Sequence, residues 1–220
     1  MNYLQNLWNA LDLGSLRDTL LRVAAVLICL ILHETCHGIA AFFLGDPTAK
    51  RNHRLSLNPL RHIDWIGLAA MVLTGVGWAK PVPVNPSYFK HPKRGMAITA
   101  LAGPVSNLLL ALWLLLGARL MYTRALTTGD INETLFEFMV STALLSIGLG
   151  VFNLIPIPPL DGSKVLAALL PDRQYAWLMR YERFGMLIIM ALVCFGALSN
   201  VLDGAIGGVF QLFCRIVGFY

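Results

Sequence analysis

The chain has 220 residues, of which 57% are hydrophobic and 13% charged, and its mean hydropathy is +0.66. Soluble domains carry about 25% charged residues, so the composition excludes an ordinary water-soluble globule and leaves no room for a large soluble domain. The net charge of +5 comes without interleaved basic and aromatic residues, which reads as basic loops on one membrane face and not as nucleic-acid binding.

The opening stretch, MNYLQNLWNALDLGSL, has neither a basic leader nor a small-residue cleavage pattern, so no removed signal peptide is expected. A helix crossing a bilayer needs about 20 mostly apolar residues. On that criterion, spans are predicted over residues 16–44, 97–121, 134–156 and 184–202. Residues 204–220 form either a further short span or an interfacial helix. Cys29, Cys36, Cys194 and Cys214 make no CxxC pair, and in apolar surroundings a cysteine acts as a small hydrophobe.

Residues 45–93 differ from the rest. Pro47, Pro59, Pro81, Pro83, Pro86 and Pro92 rule out a continuous helix or a central strand. Within them, residues 63–79 are apolar but short and glycine-containing, which predicts a re-entrant or interfacial segment flanked by short β-strands and turns. Irregular backbone survives at membrane depth only where it is buried in protein or lines a wet cavity. The expected fold is therefore an all-α polytopic membrane protein. It is a single-domain helix bundle with a short re-entrant, β-containing segment between the first two core spans.

Charge sets the expected topology. Lys50, Arg51, Arg54, Arg61, Lys80, Lys90, Lys93 and Arg94 follow the first span, and Lys164, Arg173, Arg180 and Arg183 follow the third. The connection after the second span has Arg119 and Arg124 against Asp130, Glu133 and Glu137. The positive-inside rule then puts the first and third connections in the cytoplasm and the N-terminus outside.

The first span holds the chemistry. His33 and His37 share one helix face, and Glu34 lies beside them in HETCH. Two imidazoles at this spacing reach one metal ion, and the glutamate is placed to take a proton from water. This is the HExxH pattern of zinc metalloproteases. The alternative, two histidines packed between helices, is weakened by the cost of ionisable groups in a membrane, where such groups are usually functional. A catalytic zinc takes three protein ligands and keeps one open position. The best third candidate is Asp161 in NLIPIPPLDG, where Pro156, Pro158 and Pro159 break the third span. Read alone, Asp161 is a helix cap in a turn. Asp46 and Asp64 are weaker candidates, and Cys36 lies off the His33–His37 face.

HETCHG followed by NLIPIPPLDG resembles the site-2 protease family of intramembrane zinc metalloproteases. GDPTAKRNHRLSLNP, GWAKPVPVNP, KRGM and AGPVSN look like its compact bacterial branch, so the resemblance runs over residues 27–170. It implies one Zn2+ per chain on His33, His37 and Asp161, with Glu34 as general base. It also implies a transition-state helper at Asn107 in AGPVSN. The alternative for Asn107 is an interhelical hydrogen bond among small residues. Many members carry a PDZ domain between spans, and no stretch here is long enough for one. Gly75, Gly77 and Trp78 in GVGWAKPVPVNP are candidate substrate-binding residues, through an edge strand offered to an unwound peptide. A plain structural turn explains them equally well.

The expected activity is hydrolysis of a peptide bond in or near a transmembrane segment of another membrane protein, in a bacterial cytoplasmic membrane with the active-site loops toward the cytoplasm. The rival readings are an inactive relative that holds membrane partners as a scaffold, and a metal transporter. An intact HExxH argues against the scaffold, and the lack of internal repeats argues against the transporter. Substrate identity and oligomeric state are not legible in the sequence.

Overall fold

The computed structural model describes residues 16–62, 64, 80–171, 173–174, 185, 187–189, 191–193 and 195–219. Among them, six helices carry the architecture. They are α1 (Leu16–Phe43), α2 (Thr48–Arg51), α3 (Pro92–Thr128), α4 (Glu133–Asn153), α5 (Asp161–Leu169) and α6 (Ser199–Val217). Four of these described helices, α1, α3, α4 and α6, are long and apolar enough to cross a membrane.

The helix ends follow from local chemistry. Helix α3 starts on Pro92, whose missing N–H costs nothing in a first turn, and stops at Gly129, which takes the left-handed conformation at φ 74°. Helix α4 starts on Asn132, whose side-chain oxygen accepts the Leu135 N–H at 3.0 Å. Its end at Asn153 comes just before the run containing Pro156, Pro158 and Pro159, which cannot extend a helix.

Helix α3 is the central element and packs against α1, α4 and α5. Ala111 and Leu115 of α3, Ala143 and Ile147 of α4, and Cys214 of α6 form a buried core. Small side chains dominate it because close backbone approach, and not apolar transfer, binds helices together in lipid. Leu109, Trp113 and Leu120 of α3 remain exposed, as a lipid-facing surface should. The polar start of α1 is anchored as well, through a hydrogen bond from Arg17 to the Thr134 hydroxyl of α4.

Some expectations are revised. Helix α3 extends beyond the predicted 97–121 at both ends, because hydropathy detects only the lipid-immersed part of a helix. At 37 residues it is about 55 Å long, well beyond a hydrocarbon core of about 30 Å. The expected fourth span is interrupted: residues 195–198 form a turn, Gly196 sits at φ 67°, and α6 begins at Ser199. Of the two readings of the C-terminal tail, α6 has the length and apolarity of a span. The described parts of residues 45–93 contain no strand. They hold α2 and two 3-10 turns, Pro59–Arg61 and Pro86–Tyr88, each begun by an asparagine and a proline. Asn58 and Asn85 accept the N–H of Leu60 and Ser87 through their side chains, so local turn bonds replace a sheet ladder. The expected re-entrant segment, residues 63–79, falls almost wholly outside the described residues.

Candidate metal centre

His33 and His37 lie one turn apart on α1, and His33 is about 15 Å along the helix from its end at Phe43. Both are buried, at 4% and 8% exposure. Asp161 approaches them from the first position of α5, beyond the proline break. Its Oδ2 is 3.1 Å from His33 Nε2 and 3.1 Å from His37 Nε2, and the two Nε2 atoms are 3.0 Å apart. One carboxylate oxygen and two imidazole nitrogens thus converge on a single point, the only such group of three among the described residues.

This donor set fits zinc. Tetrahedral ligands about 2.05 Å from zinc are separated by about 3.3 Å, a few tenths of an ångström more than the spacings here. Three lone-pair atoms turned toward one another at this distance repel unless a cation or protons lie between them. His37 is already oriented for ligation, because its Nδ1–H donates to the Thr99 carbonyl of α3 at 2.7 Å. Pro104 of α3 has no N–H, so the Ala100 carbonyl one turn back lacks its usual helical donor.

Two glycines make the close packing possible. A Cβ on Gly103 of α3 would stand 2.4 Å from His37 Nε2 and 2.7 Å from His33 Cε1. A Cβ on Gly162 would stand 2.1 Å from Leu154 O, so only glycine lets the start of α5 fold back on the end of α4. The N-terminal end of α5, the positive end of the helix dipole, also favours a carboxylate at Asp161. Lys164, one turn on, places Nζ 3.5 Å from Asp161 Oδ1 and leaves Oδ2 for the histidines.

The three candidate ligands open into a cavity of about 300 Å³ that is also lined by Glu34, Pro81, Val82, Asn153 and Lys164. Glu34 therefore shares the space with the metal position. Its Oε2 accepts the backbone N–H of Val82 at 2.9 Å. Val82 belongs to residues 80–85, an extended strap pinned at both ends. Arg54, 7% exposed, donates to the carbonyls of Arg61, Lys80 (2.5 Å) and Pro81 (3.2 Å). Burial lowers the pKa of its guanidinium, while the charge of Glu34 acts against that shift. At the other end, Asp46 Oδ2 accepts the Asn85 N–H at 2.6 Å, and its Oδ1 accepts the Thr48 N–H at 2.9 Å. Asp46 is thus committed to the strap and not to a metal. Neither Asp64 nor Cys36 belongs to the convergent group.

Asn107 is placed differently from the expectation. It is fully buried, does not line the cavity, and faces the back of His33, with Nδ2 3.2 Å from His33 Nδ1. An amide that stabilises a developing oxyanion has to face the substrate, and Asn107 is screened from it by the His33 ring. The asparagine that does line the cavity is Asn153. Its Nδ2 donates one N–H to Leu149 O at 2.9 Å, leaving a second N–H. The sequence held a signal for it, since Asn153 opens the same NLIPIPPLDG stretch that supplies Asp161. Thr99 also lines the cavity, while its hydroxyl is buried and without a hydrogen-bond partner among the described residues. Gly75, Gly77 and Trp78 lie outside the described residues. A larger, shallower groove beside Arg17, Leu21 and Thr134 holds no convergent metal-ligating group among the described residues and sits about 24 Å along α1 from His33.

Fold and site together define a multi-pass helical membrane protein with a buried His, His, Asp set opening into a glutamate-lined cavity. The chain belongs to peptidase family M50, whose model matches residues 22–196. It is 35% identical over 176 residues to the protein named "Putative zinc metalloprotease YwhC" of Bacillus subtilis, covering 77% of this chain and 78% of that one. It is 32% identical over 187 residues to "Putative zinc metalloprotease Rip2" of Mycolicibacterium smegmatis, covering 82% and 69% respectively. No solved structure matches it.

Proposed function

We propose that the chain is a zinc-dependent intramembrane endopeptidase, a single catalytic domain that hydrolyses a peptide bond in or near a transmembrane segment of another membrane protein. The observation that carries this reading is the convergence of His33 Nε2, His37 Nε2 and Asp161 Oδ2 in one cavity with Glu34. The names of its relatives add support, since they are zinc metalloproteases.

His33, His37 and Asp161 would hold one zinc ion beside the cavity that Glu34 also lines. When bound there, zinc supplies a Lewis acid that acidifies water and polarises a carbonyl. Glu34 takes the proton of the attacking water and delivers it to the leaving amine. The Val82 N–H fixes that carboxylate in direction meanwhile. Asn153, which lines the cavity, would donate to the developing oxyanion, a contribution of about 3 kcal/mol when the geometry is met. The peptide bonds of a helix are occupied by internal hydrogen bonds, so a substrate helix must unwind locally before it enters. The positive-inside rule supports a cytoplasmic position for the basic connections in a bacterial membrane.

The test is cleavage of transmembrane-helix substrates by the purified chain in lipid vesicles, with Glu34→Gln as the comparison. The reading predicts cleavage by the wild type alone. Equal cleavage by Glu34→Gln would remove Glu34 from the mechanism. No cleavage by either, across substrates with weakened helices, would favour a scaffold.

A further inference from the structure

The placement of Asn107 behind His33 assigns it a task other than oxyanion binding. Its side chain is fully buried, its Nδ2 faces His33 Nδ1 at 3.2 Å, and its Oδ1 has no partner among the described residues. With Nδ2 as the donor, His33 Nδ1 must be the bare nitrogen and Nε2 must carry the proton. That is the nitrogen 3.1 Å from Asp161 Oδ2 and 3.0 Å from His37 Nε2, and a protonated nitrogen has no lone pair to offer a metal. A half-turn of the amide exchanges its two ends. Oδ1 then accepts Nδ1–H, the orphaned oxygen gains a donor, and the Nε2 lone pair faces the cavity. His37 already has this arrangement, with Thr99 O as the acceptor of its Nδ1–H.

We propose that Asn107 is a positioning residue whose carbonyl oxygen accepts the Nδ1–H of His33 and so fixes the tautomer that presents Nε2 to the metal. The inference rests on the zinc-peptidase reading and concerns a contact that never touches substrate. It differs from a packing role, because only an acceptor at this position satisfies it. Aspartate keeps an acceptor and loses the donor, whereas leucine keeps the approximate volume and loses both.

The experiment compares full-length wild type, Asn107→Asp and Asn107→Leu in detergent. Zinc affinity is read by chelator competition and metal geometry by the visible spectrum of the cobalt-substituted protein. Far-UV circular dichroism checks helix content, with Asn107→Ala standing in if the leucine variant does not fold. The expected result is an Asn107→Asp affinity within a few-fold of wild type, and an Asn107→Leu affinity about 10–100-fold weaker. Folded Asn107→Asp that binds zinc as weakly as Asn107→Leu would overturn the proposal, since it would show that the donor is what matters. Wild-type affinity in Asn107→Leu would overturn it as well. A wild type that takes up no zinc would refute the peptidase reading itself, whatever the variants do.

Discussion

Gly103→Ala is the sharpest test of how the site is built. The new methyl would meet His37 Nε2 at 2.4 Å, His37 Cε1 at 2.5 Å and His33 Cε1 at 2.7 Å, where ordinary contact begins near 3.4 Å. Either the rings or the two helices must therefore move by about 1 Å. His37 has little freedom to do so, because a shift of that size would break its 2.7 Å bond to Thr99 O. Overpacking of this kind costs about 1–3 kcal/mol of stability, and an ångström of misplacement at a reacting centre costs about 100-fold in rate. We expect weaker zinc binding in chelator competition and a cleavage rate lowered by about two orders of magnitude, with helix content unchanged. Gly148→Ala is the control, since its methyl would sit 3.7 Å from Ile206 Cδ1 in ordinary contact. Wild-type zinc affinity and rate in Gly103→Ala would refute the claim that α3 packs directly on the two histidines.

Other predictions concern what surrounds the ligands. Arg54→Met leaves the carbonyls of Arg61, Lys80 and Pro81 without their shared donor, so the strap that orients Glu34 should loosen. Cleavage should fall by about 10-fold or more, at about 1–3 kcal/mol for a lost buried partner, while zinc content stays at the wild-type level. Lys164→Met frees Asp161 Oδ1, and because the lysine is partly exposed the effect should be at most a few-fold in zinc affinity, from an ion pair of about 0–1 kcal/mol. Gly162→Ala, with its methyl 2.1 Å from Leu154 O, should displace Asp161 and lower zinc affinity more than Lys164→Met does.

The parts of this architecture written in local chemistry were legible from sequence. The His33–Glu34–His37 spacing on one helix, the proline break before Asp161 and the apolar length of the early spans each follow from residue type and period. What escaped was direction. Helix α3 is apolar on nearly all sides, so no periodicity reveals that Asn107 points at the back of His33 while Gly103 faces the rings. Asn153 is one amide at the end of a span, marked in sequence only by its place at the head of NLIPIPPLDG, and the fold shows it lining the cavity. The strap was legible as a proline-rich connection but not as a clamp. Its anchors, Arg54 and Asp46, act through backbone groups tens of residues away, and such pairings leave no mark in local sequence.

Metal analysis of the detergent-purified chain beside Glu34→Gln and Asp161→Ala tests the central claim most directly. The account predicts about one zinc per chain in the wild type and in Glu34→Gln, and little in Asp161→Ala. Zinc retained at full level in Asp161→Ala would remove Asp161 from the site. A folded wild type that takes up no zinc, even when zinc is supplied, would contradict the account.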